Sequence, residues 1–247
     1  MTTFLKVPFD AGNPTGSKGT AKAPDKILKL LKKTGTLVKV NQSNAEETQK
    51  NIEETALKAF KKGPVCSIGG DHSITYGLVK AASKIHKDLA LMYFDAHLDC
   101  EDDFVPPSHE DVIKAIVKKK LVKPKNVVII GARKFWRKEV EFIKKNNIEV
   151  IYAPVGRKNI EEYIKNFFKK HKNIYVSIDI DVFDPSIAPD TGYTEKGGFT
   201  EEEFRRFTEN MDFKRIIGSD IVEVSTSNEK AQKTIALASR VISFLLG

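Results

Sequence analysis

Three short segments of the chain place aspartate and histidine side chains directly after an apolar run. The first is Gly69–Ser73 (GGDHS), the second is Asp95–Asp99 (DAHLD) and the third is Ser177–Asp181 (SIDID). The apolar runs before them have the length and composition of buried β-strands. Because ligands bind at the carboxyl ends of the strands in an open parallel sheet, the three segments predict one site at that edge.

The spacing within these segments indicates metal binding. Asp95, His97 and Asp99 are two residues apart, as are Asp179 and Asp181, and residues two apart on a strand point to the same side. Carboxylates crowded together without a cation raise one another's pKa and destabilise the fold, and a divalent ion removes that cost. Imidazole with carboxylate suits first-row metals such as Mn, Fe, Ni or Zn, whereas a structural zinc site would need a cysteine cluster.

The number of these side chains favours two ions. Two histidines and four aspartates exceed the needs of one ion, so we expect two ions that share carboxylates and activate water at neutral pH. Each segment alone has a simpler interpretation, because an isolated D-x-D is most often a turn or a helix cap and His72 could merely begin a helix. The repetition of the pattern after three strands favours the metal site.

Hydrophobic periodicity predicts strands that alternate with helices along the whole chain. The predicted strands are Phe4–Val7, Thr36–Val40, Val65–Ile68, Leu89–Phe94, Asn126–Ile130, Glu149–Tyr152, Ile174–Ile178 and Ile216–Val222. The predicted helices are Pro24–Lys33, Ala45–Lys62, Ser73–His86, His109–Lys119, Arg137–Asn146, Ile160–His171, Thr200–Glu209 and Glu229–Leu246. This order is typical of an α/β protein with a mostly parallel sheet and helices on both faces. No linker or repeat divides the chain, so we expect one domain over residues 1–247.

Composition excludes several classes of protein. The chain has 247 residues, 40% of them hydrophobic, which is ordinary for a globular domain. We predict no membrane span, because no stretch approaches ~20 apolar residues, and a cytoplasmic location, because the N-terminus lacks a signal-peptide profile. Two cysteines do not form a disulfide framework. The net charge is +8, but the lysines fall at helix ends and the arginines are scattered, which indicates a solvated surface and not a nucleic-acid partner.

The motifs resemble those of the ureohydrolase family, which includes arginase, agmatinase and formiminoglutamase. From about Pro64 onward the family's signatures occur in order: GGDHS at 69–73, DAHLD at 95–99, SIDIDVFDP at 177–185 and DIVEV at 220–224. Gly131-Ala132-Arg133 is similar to the family's G-x-R element. The resemblance implies a three-layer α-β-α fold with a mostly parallel sheet of about eight strands.

The resemblance also implies a chemistry and a role for each residue. The chain would hold two Mn²⁺, with other divalent metals possible, and a metal-bridging hydroxide would split a small guanidino substrate into urea and an amine. The implied ligands are His72, Asp95, Asp99 and Asp179 for one ion and Asp95, His97, Asp179 and Asp181 for the other. Members of the family assemble as trimers or hexamers, so a homo-oligomer is expected.

Two further residues match catalytic groups of the family. His109 matches a loop histidine taken as a proton shuttle, and Glu223 matches the acid that pairs with the guanidinium, a sensible partner because a planar guanidinium favours a bidentate carboxylate. Each has an alternative. His109 begins a helical pattern and could only cap that helix, and Glu223 is an acid at the end of a strand and could pair with a lysine.

Two departures from the family pattern bear on the substrate. The family's T-G-T-P appears as Thr191-Gly192-Tyr193-Thr194, so Tyr193 stands where a threonine helps to hold the guanidinium. The aspartate with which arginase meets its substrate's amino group has its place near Trp136. The sequence therefore favours agmatine, whose ammonium Glu101, Asp102 or Asp103 could meet, over arginine or another guanidino or formimino compound.

Three other functions compete with this hypothesis. A zinc-dependent deacetylase of related fold would need an adjacent His-His pair, which the sequence lacks. A non-catalytic metal-binding scaffold on the same fold is a distant alternative, because the predicted ligand set is intact. A nucleic-acid binder driven by the +8 charge would show salt-dependent affinity for DNA or RNA.

Overall fold

A computed structural model describes residues 2–13, 19–154 and 159–246. The strands in these residues are β1 Thr3–Val7, β2 Thr36–Leu37, β3 Val65–Gly69, β4 Ala90–Phe94, β5 Val127–Ile130, β6 Glu149–Ile151, β7 Ile174–Asp179 and β8 Ile216–Val222. The α-helices are α1 Ala23–Leu31, α2 Ala45–Phe60, α3 Ile74–Ile85, α4 Val112–Lys118, α5 Arg137–Asn146, α6 Ile160–Lys170, α7 Glu201–Glu209 and α8 Ala231–Leu246. Every strand and helix that periodicity predicted is therefore present, with ends shifted by a few residues.

The strands form one parallel sheet in the order β2-β1-β3-β8-β7-β4-β5-β6. Side chains alternate between its two faces: Ala90, Met92 and Phe94 of β4 belong to one hydrophobic core, whereas Leu91 and Tyr93 belong to the other. Helices α1, α6, α7 and α8 cover the first face, and α2, α3, α4 and α5 cover the second. The predicted three-layer α-β-α fold is confirmed, and burial of both faces explains why the central strands are mostly apolar.

Two predicted elements differ from the structure. The strand expected over Thr36–Val40 has only the two residues of β2, both exposed at the edge of the sheet. The helix expected from His109 begins at Val112, with Asp111 as its N-cap. The carboxylate of Asp111 accepts hydrogen bonds from the backbone of Ser108 and Phe104, which holds the preceding segment as a loop.

The order of the strands brings the chemically active segments together. Strands β3, β8, β7 and β4 are neighbours at the centre of the sheet, although β4 follows β3 in the chain. The chain therefore passes over two positions that β7 and β8 fill later, which creates a crevice outside the carboxyl ends of these strands. Among the described residues, no helix combines the length and hydropathy that crossing a membrane requires.

Candidate active site

The carboxyl ends of the four central strands supply the side chains of the site. His72 follows β3, Asp95 follows β4, Asp179 is the last residue of β7 and Glu223 directly follows β8. All four are almost entirely buried. Parallel strands end at one edge of the sheet, so residues more than 150 positions apart in sequence meet within a few ångströms.

The six predicted metal ligands lie together. Nδ1 of His72 is 3.1 Å from Oδ2 of Asp95, 3.2 Å from Oδ2 of Asp179 and 3.5 Å from Oδ2 of Asp99. Nδ1 of His97 is 3.0 Å from Oδ2 of Asp181 and 3.4 Å from Oδ1 of Asp95. Five of these side chains form two groups that could each hold a metal ion, one of His72, Asp95 and Asp99 and the other of Asp95, His97 and Asp181, so Asp95 belongs to both.

Local turns, and not strand alternation, bring these residues to one side. Strand β4 ends at Phe94, after which the backbone N–H of His97 donates to Oδ1 of Asp95 at 2.7 Å. Asp99 adopts a left-handed conformation, with φ of 48°. Beyond β7, the N–H of Asp181 donates to Oδ1 of Asp179 at 2.8 Å. The strand geometry on which the predicted common side was conditional does not continue through these residues, because each aspartate folds the following backbone into a turn.

The electrostatics of this cluster fit a divalent cation. Burial and the neighbouring carboxylates raise the pKa values of Asp99, Asp179 and Asp181. Burial opposes ionisation of Asp95 as well, but its contacts with His72 and His97 outweigh burial and lower its pKa. Oδ2 of Asp95 is buried and has no hydrogen-bond donor among the described residues. A crowded set of carboxylates and imidazoles of this kind is stabilised by positive charge at its centre, which Mn²⁺ and other first-row ions supply.

Removal of metal is expected to destabilise the protein, and more strongly at high pH. Without metal, the raised pKa values of Asp99, Asp179 and Asp181 mean that the folded chain binds more protons than the unfolded chain. Stability then falls as pH rises above the ordinary aspartate pKa of about 3.9. Metal binding needs the deprotonated ligands, so metal affinity rises over the same range.

Thermal unfolding with Mn²⁺ or with a chelator, at several pH values between 5 and 8, measures this effect. The stabilisation by metal is about 2.7 kcal/mol when free metal is about 100 times its Kd. We expect the difference between the two unfolding midpoints to widen as pH rises. Equal midpoints at pH 8 would contradict metal binding at this cluster.

A histidine–carboxylate pair lies beside the cluster. Nδ1 of His109 is 3.2 Å from Oε1 of Glu223, and the backbone N–H of His72 donates to the same oxygen at 2.8 Å. Burial alone would lower the pKa of His109, but the hydrogen bond and charge of Glu223 raise it to about 9. His109 does not cap α4, and Glu223 has no lysine partner among the described residues. Both simpler interpretations of these residues are therefore wrong.

An N-terminal loop holds His109 in place, which the motifs did not indicate. The backbone N–H of His109 donates to the carbonyl of Gly12 at 3.1 Å, and the N–H of Gly12 donates to Oδ2 of Asp71 at 2.7 Å. A Cβ atom at Gly12 would lie 2.0 Å from Oγ of Ser73. A side chain at Gly12 would therefore collide with Ser73, and the loop that follows β1 supports the backbone of His109 from outside the cavity lining. In the sequence, Asp71 of the GGDHS motif was the one residue that could have pointed to this contact.

The clusters lie in a cavity of about 670 Å³ that Tyr193, Trp136 and Glu223 also line. The ring of Tyr193 is centred 6.2 Å from that of His97 and 5.9 Å from that of His109, and its side chain is 40% exposed. Trp136 is 61% exposed, immediately before α5. The structure thus places both predicted substrate contacts on the cavity wall, Tyr193 over the two histidines and Trp136 on the outer part.

The acidic residues considered for a substrate ammonium are largely paired. Glu101 forms an ion pair with Lys138, and Asp102 lies 3.0 Å from the same lysine. Asp103 lies 2.7 Å from Nζ of Lys118. Two other carboxylates that the sequence did not single out, Glu110 and Glu195, line the cavity, and neither has a lysine or arginine within 4.0 Å in the described parts of the chain.

Arg133 of the G-x-R element joins two walls of the site. Its guanidinium donates to the carbonyl of Asp181 at 2.6 Å, to that of Glu195 at 2.9 Å and to that of Gly131 at 3.0 Å. It therefore ties the segment after β7 to the loop that carries Tyr193. The G-x-R motif singled out Arg133, but its contacts with Asp181 and Glu195 join segments that are distant from it in sequence.

Comparison with known proteins agrees with this geometry. A sequence profile described as "Arginase family" matches residues 2–247. The chain belongs to the arginase family. It is 35% identical over 195 residues to an uncharacterized 32.2 kDa protein of Methanothermus fervidus, covering 76% of this chain and 66% of that protein. It is 31% identical over 194 residues to an agmatinase of Halalkalibacterium halodurans, covering 77% of this chain and 65% of that protein.

This arginase-family chain has the same fold as a protein of known structure. The formimidoylglutamase of Bacillus subtilis superposes with a TM-score of 0.91 at 20% identity, covering 99% of this chain and 85% of that one. The two sequence matches span about two thirds of each relative's length. These comparisons assign the family and the fold.

Proposed function

We propose that this arginase-family protein hydrolyses the C–N bond of a small guanidino compound to urea and an amine with two divalent metal ions, Mn²⁺ favoured. The observation that carries the proposal is the pair of His/Asp groups that share Asp95, in one cavity with His109 and Glu223. His72, Asp95, Asp99 and Asp179 would hold one ion, and Asp95, His97, Asp179 and Asp181 the other. The bound ions would lower the pKa of water and so supply a nucleophile at neutral pH.

Glu223 and His109 have separate roles in this proposal. Glu223 binds the substrate guanidinium, because a buried carboxylate at the cavity wall forms strong charge-assisted hydrogen bonds to a planar cation. His109 has a pKa of about 9, so it carries a proton at neutral pH. It is the proposed donor of the proton that the leaving amine takes up, since a general acid must be protonated at the working pH.

We favour agmatine as the substrate. The relative from Halalkalibacterium halodurans is named agmatinase, which supports this choice, and Glu110 and Glu195 supply cavity carboxylates for a distal ammonium.

One observation favours a second candidate, a guanidino acid. Lys134 also lines the cavity, and its Nζ lies 5.7 Å from the ring of Trp136 with no acidic partner within 4.0 Å among the described residues. Arginine and formimino compounds remain further alternatives.

A panel of substrates tests the proposal. The Mn²⁺-loaded protein should release urea from agmatine faster than from arginine or 4-guanidinobutyrate. Hydrolysis of formiminoglutamate, the formimino alternative, is followed by the release of formamide. We expect Glu195→Gln or Glu110→Gln to raise the KM for agmatine up to about tenfold, which corresponds to about 1.4 kcal/mol of binding free energy, and to leave the KM for 4-guanidinobutyrate unchanged. Lys134→Gln is the matched control and should affect only the guanidino acid. Metal binding without turnover of any compound would favour a non-catalytic scaffold.

The proposal extends to assembly and location. By resemblance the chain forms a homo-oligomer, a trimer or a hexamer, in the cytoplasm. Light scattering coupled to gel filtration measures the mass in solution, and a mass of one chain would contradict the assembly.

A further inference from the structure

A buried carboxylate beneath the metal cluster has no role in the proposed reaction. Asp220 lies within β8 and is 1% exposed, and it has no lysine or arginine within 4.0 Å among the described residues. Its Oδ1 accepts a hydrogen bond from Oγ of Ser177 at 2.7 Å. Its Oδ2 accepts from the hydroxyl of Tyr175 at 2.7 Å and from that of Thr75 at 3.0 Å. A buried carboxylate without a cation is costly, so its position in the centre of the sheet needs a reason.

The hydrogen bonds of Asp220 continue to His72. Oγ of Ser177 is 2.9 Å from Nε2 of His72. A serine hydroxyl has one hydrogen, and Asp220 accepts it, so Nε2 of His72 must donate its own hydrogen to Ser177. Nε2 then carries a hydrogen in every protonation state. Nδ1 is therefore the ring nitrogen that can bind a cation. It faces Asp95 and Asp179 at 3.1 and 3.2 Å, and it lies 3.0 Å from the hydroxyl of Tyr93, which donates its own hydrogen to Asp99.

The parallel register of the sheet builds this chain of hydrogen bonds. Ser177 of β7 and Asp220 of β8 are direct register partners. Tyr175 lies two residues before Ser177 and so points to the same face. The carboxylate is thus held between rigid central strands, and its contact with Ser177 does not depend on a loop.

We propose that Asp220 is a positioning residue that acts through Ser177 to fix the tautomer and orientation of His72, so that Nδ1 is presented to a metal ion. The inference rests on the metal site of the proposed function and goes beyond its six ligands. Hydrogen-bond partners of this kind make a metal-binding histidine a better ligand, and their loss weakens metal affinity about 10- to 100-fold.

The two histidines of the site differ in this respect. His97 is 25% exposed in its side chain, and in residues 2–13, 19–154 and 159–246 no carboxylate–hydroxyl chain reaches its Nε2. The effect of Asp220 is therefore confined to the ion that His72 holds.

Metal binding by variants tests the inference without relying on activity. Asp220→Asn and Ser177→Ala each interrupt the chain to His72. Tyr175→Phe is the matched control, because it removes another hydroxyl from the same carboxylate and leaves Ser177 and His72 in contact. Each protein is checked for folding by circular dichroism and titrated with Mn²⁺ by calorimetry, and coupling between the two ions is followed by electron paramagnetic resonance.

The expected result is selective loss of one ion. The unmodified protein and Tyr175→Phe should bind two Mn²⁺ per chain with coupled spins. Asp220→Asn and Ser177→Ala should bind one ion at unchanged affinity and the other about 10- to 100-fold more weakly. The double variant should be no weaker than either single variant, because both changes break the same chain. If Asp220→Asn does not fold, Ser177→Ala carries the test.

Two outcomes would overturn the inference. Two tightly bound ions in folded Ser177→Ala would show that the chain does not support His72. Equal weakening in Tyr175→Phe would show that Asp220 acts only on general stability. Failure of the unmodified protein to bind metal is a different result, because it rejects the proposed function and its metal site.

Discussion

Asp95→Ala is expected to reduce urea release by at least about 10³-fold and to leave fewer than two Mn²⁺ per chain. Asp95 belongs to both of the His/Asp groups that could hold a metal ion, and its oxygens face His72 and His97 at 3.1 and 3.4 Å. Its removal separates the two proposed ions, and the activation of water that depends on both is lost. Steady-state urea assays and metal analysis of the same sample measure the effect.

The control for this variant is Asp88→Ala. Asp88 is an exposed aspartate paired with Lys123 at 2.6 Å, so its loss should leave metal content and turnover unchanged. If Asp95→Ala retains wild-type turnover with two bound ions, the proposed dinuclear site is wrong.

Glu223→Gln is expected to reduce kcat/KM by about 10²- to 10³-fold while both metal ions stay bound. Loss of a buried hydrogen-bonded charge opposite a cation costs about 2–5 kcal/mol, and Glu223 is the proposed partner of the guanidinium. Gln has nearly the same shape and can still accept the hydrogen bond from the backbone of His72, which is 2.8 Å in the native protein. We therefore expect the fold and metal content to be retained.

The pH profile separates this role from a structural one. Glu223 holds the pKa of His109 at about 9, and without its charge that pKa should fall toward the ordinary value of about 6.5. Because the protonated form of His109 is the proposed donor, the decline of kcat with rising pH should begin at lower pH in the variant. Exposed Glu229 provides the control variant Glu229→Gln, and an unshifted decline in Glu223→Gln would remove His109 from the proposed mechanism.

Features that depend on residues close together in the chain could be predicted from the sequence. Strands β3, β4 and β7 are mostly apolar and each metal-binding segment lies at the carboxyl end of its strand, so types and spacing were enough to predict the fold and the grouping of His72, Asp95 and Asp179. The family motifs added His109 and Glu223, whose roles stay predictions. Glu110 and Glu195 were not singled out, because a surface acid becomes a cavity residue only when distant loops enclose it.

The backbone conformation that brings these side chains together could not be predicted from the sequence. Strand alternation predicted that Asp95, His97 and Asp99 share a side, but β4 ends at Phe94 and a turn with Asp99 at φ of 48° brings them together. Turn geometry depends on the hydrogen bonds that the folded chain offers. A period-two pattern cannot show where a strand stops.

The sequence by itself determined the alternating elements, the types of the six clustered side chains and the family, because these depend on residue types over short spans. Only the tertiary structure decided which strands are neighbours. Asp220 meets Ser177 because β8 lies beside β7, and Gly12 holds His109 because the loop after β1 crosses the end of β3. Such contacts come from long-range packing of the sheet and its two helical layers, which local sequence patterns do not encode.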